Sequence, residues 1–479
     1  MKRLLVFPLL FLLLAAQGQV DGYEIKVTFK PFKNQNIYLG YYFGAKQYPI
    51  IDSAVLNEKS EAIFKGNKKL GRGIYLLGYP NKNGFFEVLI DYNQHFSIVI
   101  DTSSSLSAIK FTNSPYNTEF NAYQRYMGEK GSAITNARNQ LVLSTTKKDS
   151  ANWNEKIKST DILIAKYRDS LIKKDPVGIL SRLLKGMEEP IVPPAALHPG
   201  GKYDSAYAYR YYKNNFWNGV DFYDDLFART TFFEGKFDKY FENVVAPHPD
   251  SVIKEIDWML AFASISPDMT RFLLPKLINR YYNQKYMWED AVFVHLYEKY
   301  LANKEYSFLN EKAKKLVTDR AFSLMANIYG TPAADIELPD SSGKKISLYT
   351  QNVPYILVCF WDATCGHCKE TLPKIDSIYR TKWKAAGLKI YSVSKQTDGT
   401  INDWKKFIAE NKLEWMNVFY SKAEEKERVI NNIPGYSQLY DVQSFPTLYL
   451  LDKDKRIIAK KLTYLQMDEV LTLKMKASN

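Results

Sequence analysis

"FWDATCGHCKETLP", residues 360–373, carries two of the three cysteines in a chain of 479 residues. It overlaps the end of a continuous apolar run, "YILVCFW", of the kind that fits a strand buried on both faces. Beyond the second cysteine the pattern turns helical. A CxxC at such a junction puts its first cysteine at a helix N-terminus, where unpaired backbone N–H groups and the helix dipole favour negative charge. The Cys365 thiol is therefore expected to ionise below the ordinary cysteine range and to be the exposed nucleophile. Cys368, one turn further in, would resolve the mixed disulfide. Gly366 is expected to permit the tight turn. His367, when protonated, adds positive charge beside the thiolate and makes the couple more oxidising.

Other uses of a cysteine pair compete with this one. A zinc site needs four ligands, and this pair would have to recruit His95, His198, His248 or His295 from distant segments. A thiol peroxidase of the peroxiredoxin kind also uses one attacking cysteine, but its Pro-x-x-x-Thr-x-x-Cys signature is absent, since Thr364 directly precedes Cys365. A structural disulfide in a non-catalytic binding module is the main alternative without turnover.

The N-terminus, "MKRLLVFPLLFLLLAAQGQVDG", has Lys2 and Arg3, an apolar run from Leu4 to Ala16, and small residues up to Gly18. This is the layout of a cleavable signal peptide over residues 1–18. The run is shorter than the roughly 20 residues a spanning helix needs, and no cysteine near the cut offers a lipid anchor. The mature protein is thus expected in an exported, periplasmic and oxidising space. A disulfide framework there would use more cysteines, in even number, so stability must come from hydrophobic cores. With 46% hydrophobic residues, those cores can be built. The formal charge of +13 invites a nucleic-acid reading. Against it, acids and bases alternate, as in "SKAEEKER" (421–428), and no basic block appears, so no nucleic-acid partner is expected.

Three patterns succeed one another along the chain. Residues 19–110 hold short segments such as "EIKVTF", "NIYLGYYF", "GIYLLGY", "FFEVLI" and "FSIVI" between turn residues, which predicts an antiparallel β domain of sandwich type. Residues 111–326 have helical periodicity, exemplified by "DSVIKEIDWMLAFA" (250–263) with Asp250 or Ser251 as N-cap, and predict a domain of helical hairpins. "EEPIVPPAALHPGG" (188–201) reads as a long loop. The aromatic segments "YAYRYYKNNFW" and "VDFYDDLF" read as packed core, with a partner-binding groove as the rival. Residues 327–479 alternate strand and helix and end in a hairpin, an α/β domain with a mixed sheet.

The last segment resembles the thioredoxin fold. Trp361 stands four residues before the first cysteine, Pro373 five after the second, and "YDVQSFPTLYLLD" matches the segment that sets a cis-proline opposite the dithiol, which makes Pro446 that residue. The opening "GTPAADIELPDSSGKKISLY" is similar to the N-terminal hairpin of the TlpA-like branch of exported thiol-disulfide oxidoreductases. The resemblance implies catalytic Cys365 and Cys368, supported by Trp361, Gly366, His367, Pro373 and Pro446, and no cofactor or metal. It implies cysteine-containing exported proteins as substrates, and a membrane-embedded redox partner that resets the dithiol. Two departures stand out. Cys359 occupies the strand position where cytoplasmic thioredoxins keep a buried aspartate, and Thr371 replaces an acid that many TlpA-like proteins carry.

Overall fold

The computed structural model describes residues 22–45, 47–102 and 109–478. The expected signal peptide, residues 1–18, lies outside them. The elements follow the expected order of strands, helices and an α/β segment, but the chain divides into two compact units, 1–245 with 258–273 and 246–257 with 274–479. The helical stretch is shared between them.

In the first unit, strands β1 (Tyr23–Lys30), β2 (Asn36–Tyr41), β3 (Ile50–Val55), β4 (Glu61–Gly66), β5 (Gly73–Gly78), β6 (Phe85–Ile90), β7 (His95–Asp101) and β8 (Lys110–Thr112) form two four-stranded sheets. Their orders are β4-β1-β7-β8 and β3-β2-β5-β6. Alternation decides which residues face inward: Ile25, Val27 and Phe29 of β1 and Phe96, Ile98 and Ile100 of β7 meet Ile37, Leu39, Tyr75, Leu77, Val88 and Ile90 of the other sheet. The sandwich is not wholly antiparallel, because β1 and β7 pair in parallel. Most of the intervening strands build the second sheet, and β7 re-enters the first beside β1 in the same direction.

The same unit contains α1 (Pro115–Leu143), α2 (Lys147–Lys174), α3 (Ile179–Met187), α4 (Ser205–Asn215) and α5 (Phe232–Lys239). α1 and α2 pack together across the short connection 144–146, and Thr146 caps α2 by accepting from the Asp149 N–H. Asn117 anchors α1 to the sandwich: its side chain accepts from the Leu89 N–H at 2.7 Å and donates to the Leu89 carbonyl at 2.9 Å. Phe216, Trp217, Phe222, Leu226 and Phe227 of the aromatic segments are buried. Tyr209 and Tyr223 are exposed.

The unit boundary cuts α6 (Pro249–Ala263) and α7 (Pro267–Tyr282). α6 starts at Pro249, so Asp250 lies in its first turn and not at the cap. Proline is at home at a first helical position, where its missing N–H costs nothing.

In the second unit α8 (Glu289–Tyr300) and α9 (Glu311–Met325) precede the hairpin β9 (Glu337–Pro339) and β10 (Lys345–Ser347). There follow β11 (Tyr355–Trp361), α10 (Gly366–Ile378), β12 (Leu388–Lys395), α11 (Ile401–Asn411), β13 (Met416–Tyr420), α12 (Lys422–Ile430), α13 (Tyr436–Leu439), β14 (Thr447–Asp452), β15 (Ile457–Lys460) and α14 (Tyr464–Ser478). The sheet order is β13-β12-β11-β14-β15, with β11, β12 and β13 parallel and β14 and β15 antiparallel to their neighbours. Central β11 serves two cores. Leu357, Cys359 and Trp361 pack with Leu372, Ile375, Trp404 and Phe407, while Ile356, Val358 and Phe360 pack with Leu338, Tyr440 and Tyr449 on the opposite face. That double burial is why the strand reads as an unbroken apolar run. The domain does not end at the β14–β15 hairpin. α14 follows, docking Met467 and Leu471 into the first of these cores.

Candidate active site

β11 delivers the chain to the site. Its last residue, Trp361, is fully buried and donates its indole N–H to Ser392 Oγ on β12 at 2.7 Å. The turn to α10 is built by Asp362, a buried carboxylate outside the set of expected site residues. One oxygen accepts the Thr364 N–H at 2.6 Å and also the Thr364 hydroxyl; the other accepts the Thr397 N–H at 3.0 Å and the Thr397 hydroxyl at 2.6 Å. Burial alone would raise its pKa, but these four donors outweigh it and hold the carboxyl below the ordinary carboxylate value. The Asp362 carbonyl then accepts the Cys365 N–H at 3.2 Å.

Cys365 is the N-cap of α10, in extended backbone and partly accessible. Its thiol donates to the Phe445 carbonyl at 3.7 Å, across to the loop that carries the cis peptide bond Phe445–Pro446. Cys368 is fully buried. Burial and the adjacent Cys365 sulfur push its thiol up from the ordinary cysteine value, although the Asp362 main chain acts the other way. The pair therefore has one accessible sulfur and one held protonated inside. Cys359 is 2% exposed on β11, and burial pushes its thiol up to about 12, which leaves it inert at neutral pH.

The other expected site residues fall as follows. His367 and Thr371 border a groove of about 460 Å3 shared with Ser444, Phe445, Pro446 and Tyr464. Pro373 is exposed inside α10, which runs on past it to Ile378. Gly366 departs from its expected part: it is the first residue of α10, its φ is not positive, and a Cβ there would meet no atom within 4 Å. The turn needs no glycine, because Asp362 shapes it with side-chain hydrogen bonds.

Two of the four histidines named as possible zinc ligands are held by hydrogen bonds to groups other than the cysteines. His198 Nδ1 accepts the Asp204 N–H at 3.0 Å, which leaves Nε2 to donate to the Pro193 carbonyl at 2.9 Å. His295 Nε2 stands 2.8 Å from Asp257 Oδ1. Among the described residues no group of three or more His, Cys, Asp or Glu side chains converges as a metal site would require.

Asp362→Ala should strip four donors of their acceptor and lower the stability of the chain by about 1–3 kcal/mol. The same variant should slow reduction of insulin disulfides, because Cys365 loses its positioned turn. Chemical denaturation and turbidity kinetics measure the two effects. Unchanged rates would remove Asp362 from the positioning of the nucleophile.

Residues 329–460 match the AhpC/TSA family model, and residues 23–120 match a domain of unknown function, DUF4369. The chain is 26% identical over 131 residues to thiol-disulfide oxidoreductase ResA of Bacillus cereus, covering 27% of this chain and 68% of that protein. It is 23% identical over 129 residues to ResA of Bacillus subtilis, covering 27% of this chain and 64% of that protein. Among solved structures, a thioredoxin-like protein from Bacteroides caccae is 22% identical, with 60% of this chain and 98% of that one covered at a TM-score of 0.43. The chain thus carries an AhpC/TSA-family domain of thioredoxin-like fold over residues 329–460, similar in sequence to ResA thiol-disulfide oxidoreductases, and a DUF4369 domain over residues 23–120.

Proposed function

We propose that the protein is an exported thiol-disulfide oxidoreductase that exchanges disulfides with cysteine-containing exported proteins. The observation that carries this reading is the asymmetry of the pair: a partly accessible Cys365 at the N-cap of α10, facing Phe445 and cis-Pro446, with Cys368 fully buried behind it. In the reducing direction the Cys365 thiolate attacks a partner disulfide, forming one S–S bond and releasing one partner thiolate, which takes up a proton. Cys368 then loses its proton and attacks the Cys365 sulfur. The partner leaves as a dithiol with two electrons gained, and the protein keeps the Cys365–Cys368 disulfide. A separate redox partner returns the two electrons; no cofactor takes part. His367, exposed beside the groove, tunes the couple, and Phe445 with Pro446 aligns the substrate strand.

Among the described residues no helix is long and apolar enough to cross a membrane. A redox titration of the whole chain against glutathione sets the direction. A midpoint near about −270 mV assigns a reductase, and one near about −120 mV an oxidase. A pair that does not titrate with glutathione at all would sink the exchange activity and leave a structural disulfide.

A further inference from the structure

The groove at the dithiol does not end at Tyr464. Gln443, Lys461 and Leu462 line it and also line a second, larger groove of about 930 Å3 in the same unit. The far wall of this second groove comes from the connection between α7 and α8, in the helical stretch that precedes the thioredoxin-like domain. There Tyr286, 61% exposed, lies parallel to Trp288, with ring centroids 6.2 Å apart and planes 4° from each other. Met287 between them turns inward, and its sulfur accepts the Lys460 N–H at 3.1 Å, fixing this connection to the end of β15. The aromatic pair is therefore held in place beside the strand that leads on to Lys461 and Leu462.

The charge of the lining is one-sided. Lys285, Arg320, Lys460 and Lys461 contribute to it, against Asp290 alone. Asp290 is spent on Lys460, and Asp441, which lines the dithiol groove, is shared by Arg320 and Lys461. Lys285 stands exposed at the rim. A wall of two stacked rings beside uncompensated positive charge suits an apolar or aromatic side chain with a carboxylate close to it.

We propose that this groove is a second substrate subsite, continuous with the dithiol, for an extended segment of the partner protein. The partner's reacting cysteine lies at Cys365, and further along the same segment an aromatic side chain packs on Tyr286 and Trp288 with an acidic residue beside Lys285. The helical stretch, which has no part in the sulfur chemistry, thereby selects which disulfides are served. This rests on the exchange activity proposed above.

The test uses the full chain carrying Cys368→Ser, which stops the reaction after the first attack. The probes are peptides with one cysteine blocked as a mixed disulfide with thionitrobenzoate. Cys365 attacks the peptide sulfur, forms the protein–peptide disulfide and expels coloured thionitrobenzoate anion. A Phe–Glu pair is walked outward from the cysteine on either side, with an Ala–Lys series as reference. Each rate is divided by that of the same protein with 2,2′-dithiodipyridine, which is too small to reach the second groove.

One register of the Phe–Glu series is expected to react at least about tenfold faster than its Ala–Lys counterpart, as for a buried aromatic anchor. That preference should be lost in Tyr286→Ala and reversed in sign for charge in Lys285→Glu. Both residues are exposed, so neither change removes core packing. A preference that survives both substitutions, or no preferred register in the parent protein, overturns the subsite. Failure to react even with dithiodipyridine overturns the exchange activity itself, and the subsite falls with it.

Discussion

Cys365→Ser is expected to reduce insulin disulfide reduction to the level of the uncatalysed reaction, while Cys368→Ser stops turnover with the partner covalently attached. The two outcomes follow from burial. Cys365 is the one accessible sulfur among three cysteines, and neither of the others can replace it. Cys368 and Cys359 are buried, with thiols pushed up from the ordinary cysteine value, so neither supplies thiolate to an external disulfide. Serine keeps the shape of the N-cap but is a far weaker nucleophile at neutral pH. In Cys368→Ser the first attack still proceeds, and the mixed disulfide persists because nothing inside can displace the partner. Non-reducing electrophoresis and mass mapping read this directly. Iodoacetamide should label Cys365 in the native protein, and the other two only after unfolding. A Cys365→Ser protein that still turned over would refute the mechanism, and trapping in that variant in place of Cys368→Ser would reverse the two assignments.

The sequence disclosed this site unevenly, for physical reasons. The strand under it was legible because β11 is buried on both faces and so contains no polar residue to interrupt the run from Tyr355 to Trp361. The N-cap position of Cys365 followed from the change of period at that point, a local signal. Asp362 was not legible. A carboxylate two residues before a threonine reads as an ordinary turn, and its second partner, Thr397, comes 35 residues after it. Gly366 differs for the complementary reason: a glycine between two cysteines suggests a tight turn, whereas the backbone there is already helical. In the N-terminal sandwich the alternation of Ile25, Val27 and Phe29 fixed which face is inward but says nothing of direction, so the parallel pairing of β1 with β7 was hidden. β3 escaped notice because it is an edge strand with Ile50 and Val55 exposed. α14 escaped because its burial rests chiefly on Met467 and Leu471.

The helical stretch reaches the thioredoxin-like domain through a charge pair that the sequence cannot announce, and removing half of it should cost more than any surface change. Lys460 ends β15 with its side chain 5% exposed, and Asp290, in the first turn of α8, has its side chain 1% exposed. The ammonium group bonds the Asp290 carboxylate, the Asn327 carbonyl at 2.6 Å and Asn327 Oδ1 at 2.9 Å, so each of its three protons has an acceptor. Asp290 in turn accepts the Ala291 N–H at 2.7 Å and the Tyr329 N–H at 3.3 Å. Burial lowers the Lys460 pKa from the ordinary lysine value, and the adjacent Asp290 charge opposes that shift. Lys460→Met fills the same space but strands the Asp290 carboxylate without its counter-ion, and Asp290→Leu strands the ammonium. Each single change should destabilise the chain by about 3–5 kcal/mol, the cost of an uncompensated buried charge. The double variant Lys460→Met with Asp290→Leu should recover most of that loss, because no charge is left in the interior. Urea unfolding followed through the double-mutant cycle measures the coupling. Additive losses would mean that the two charges do not depend on each other, and that Asn327 alone suffices for Lys460.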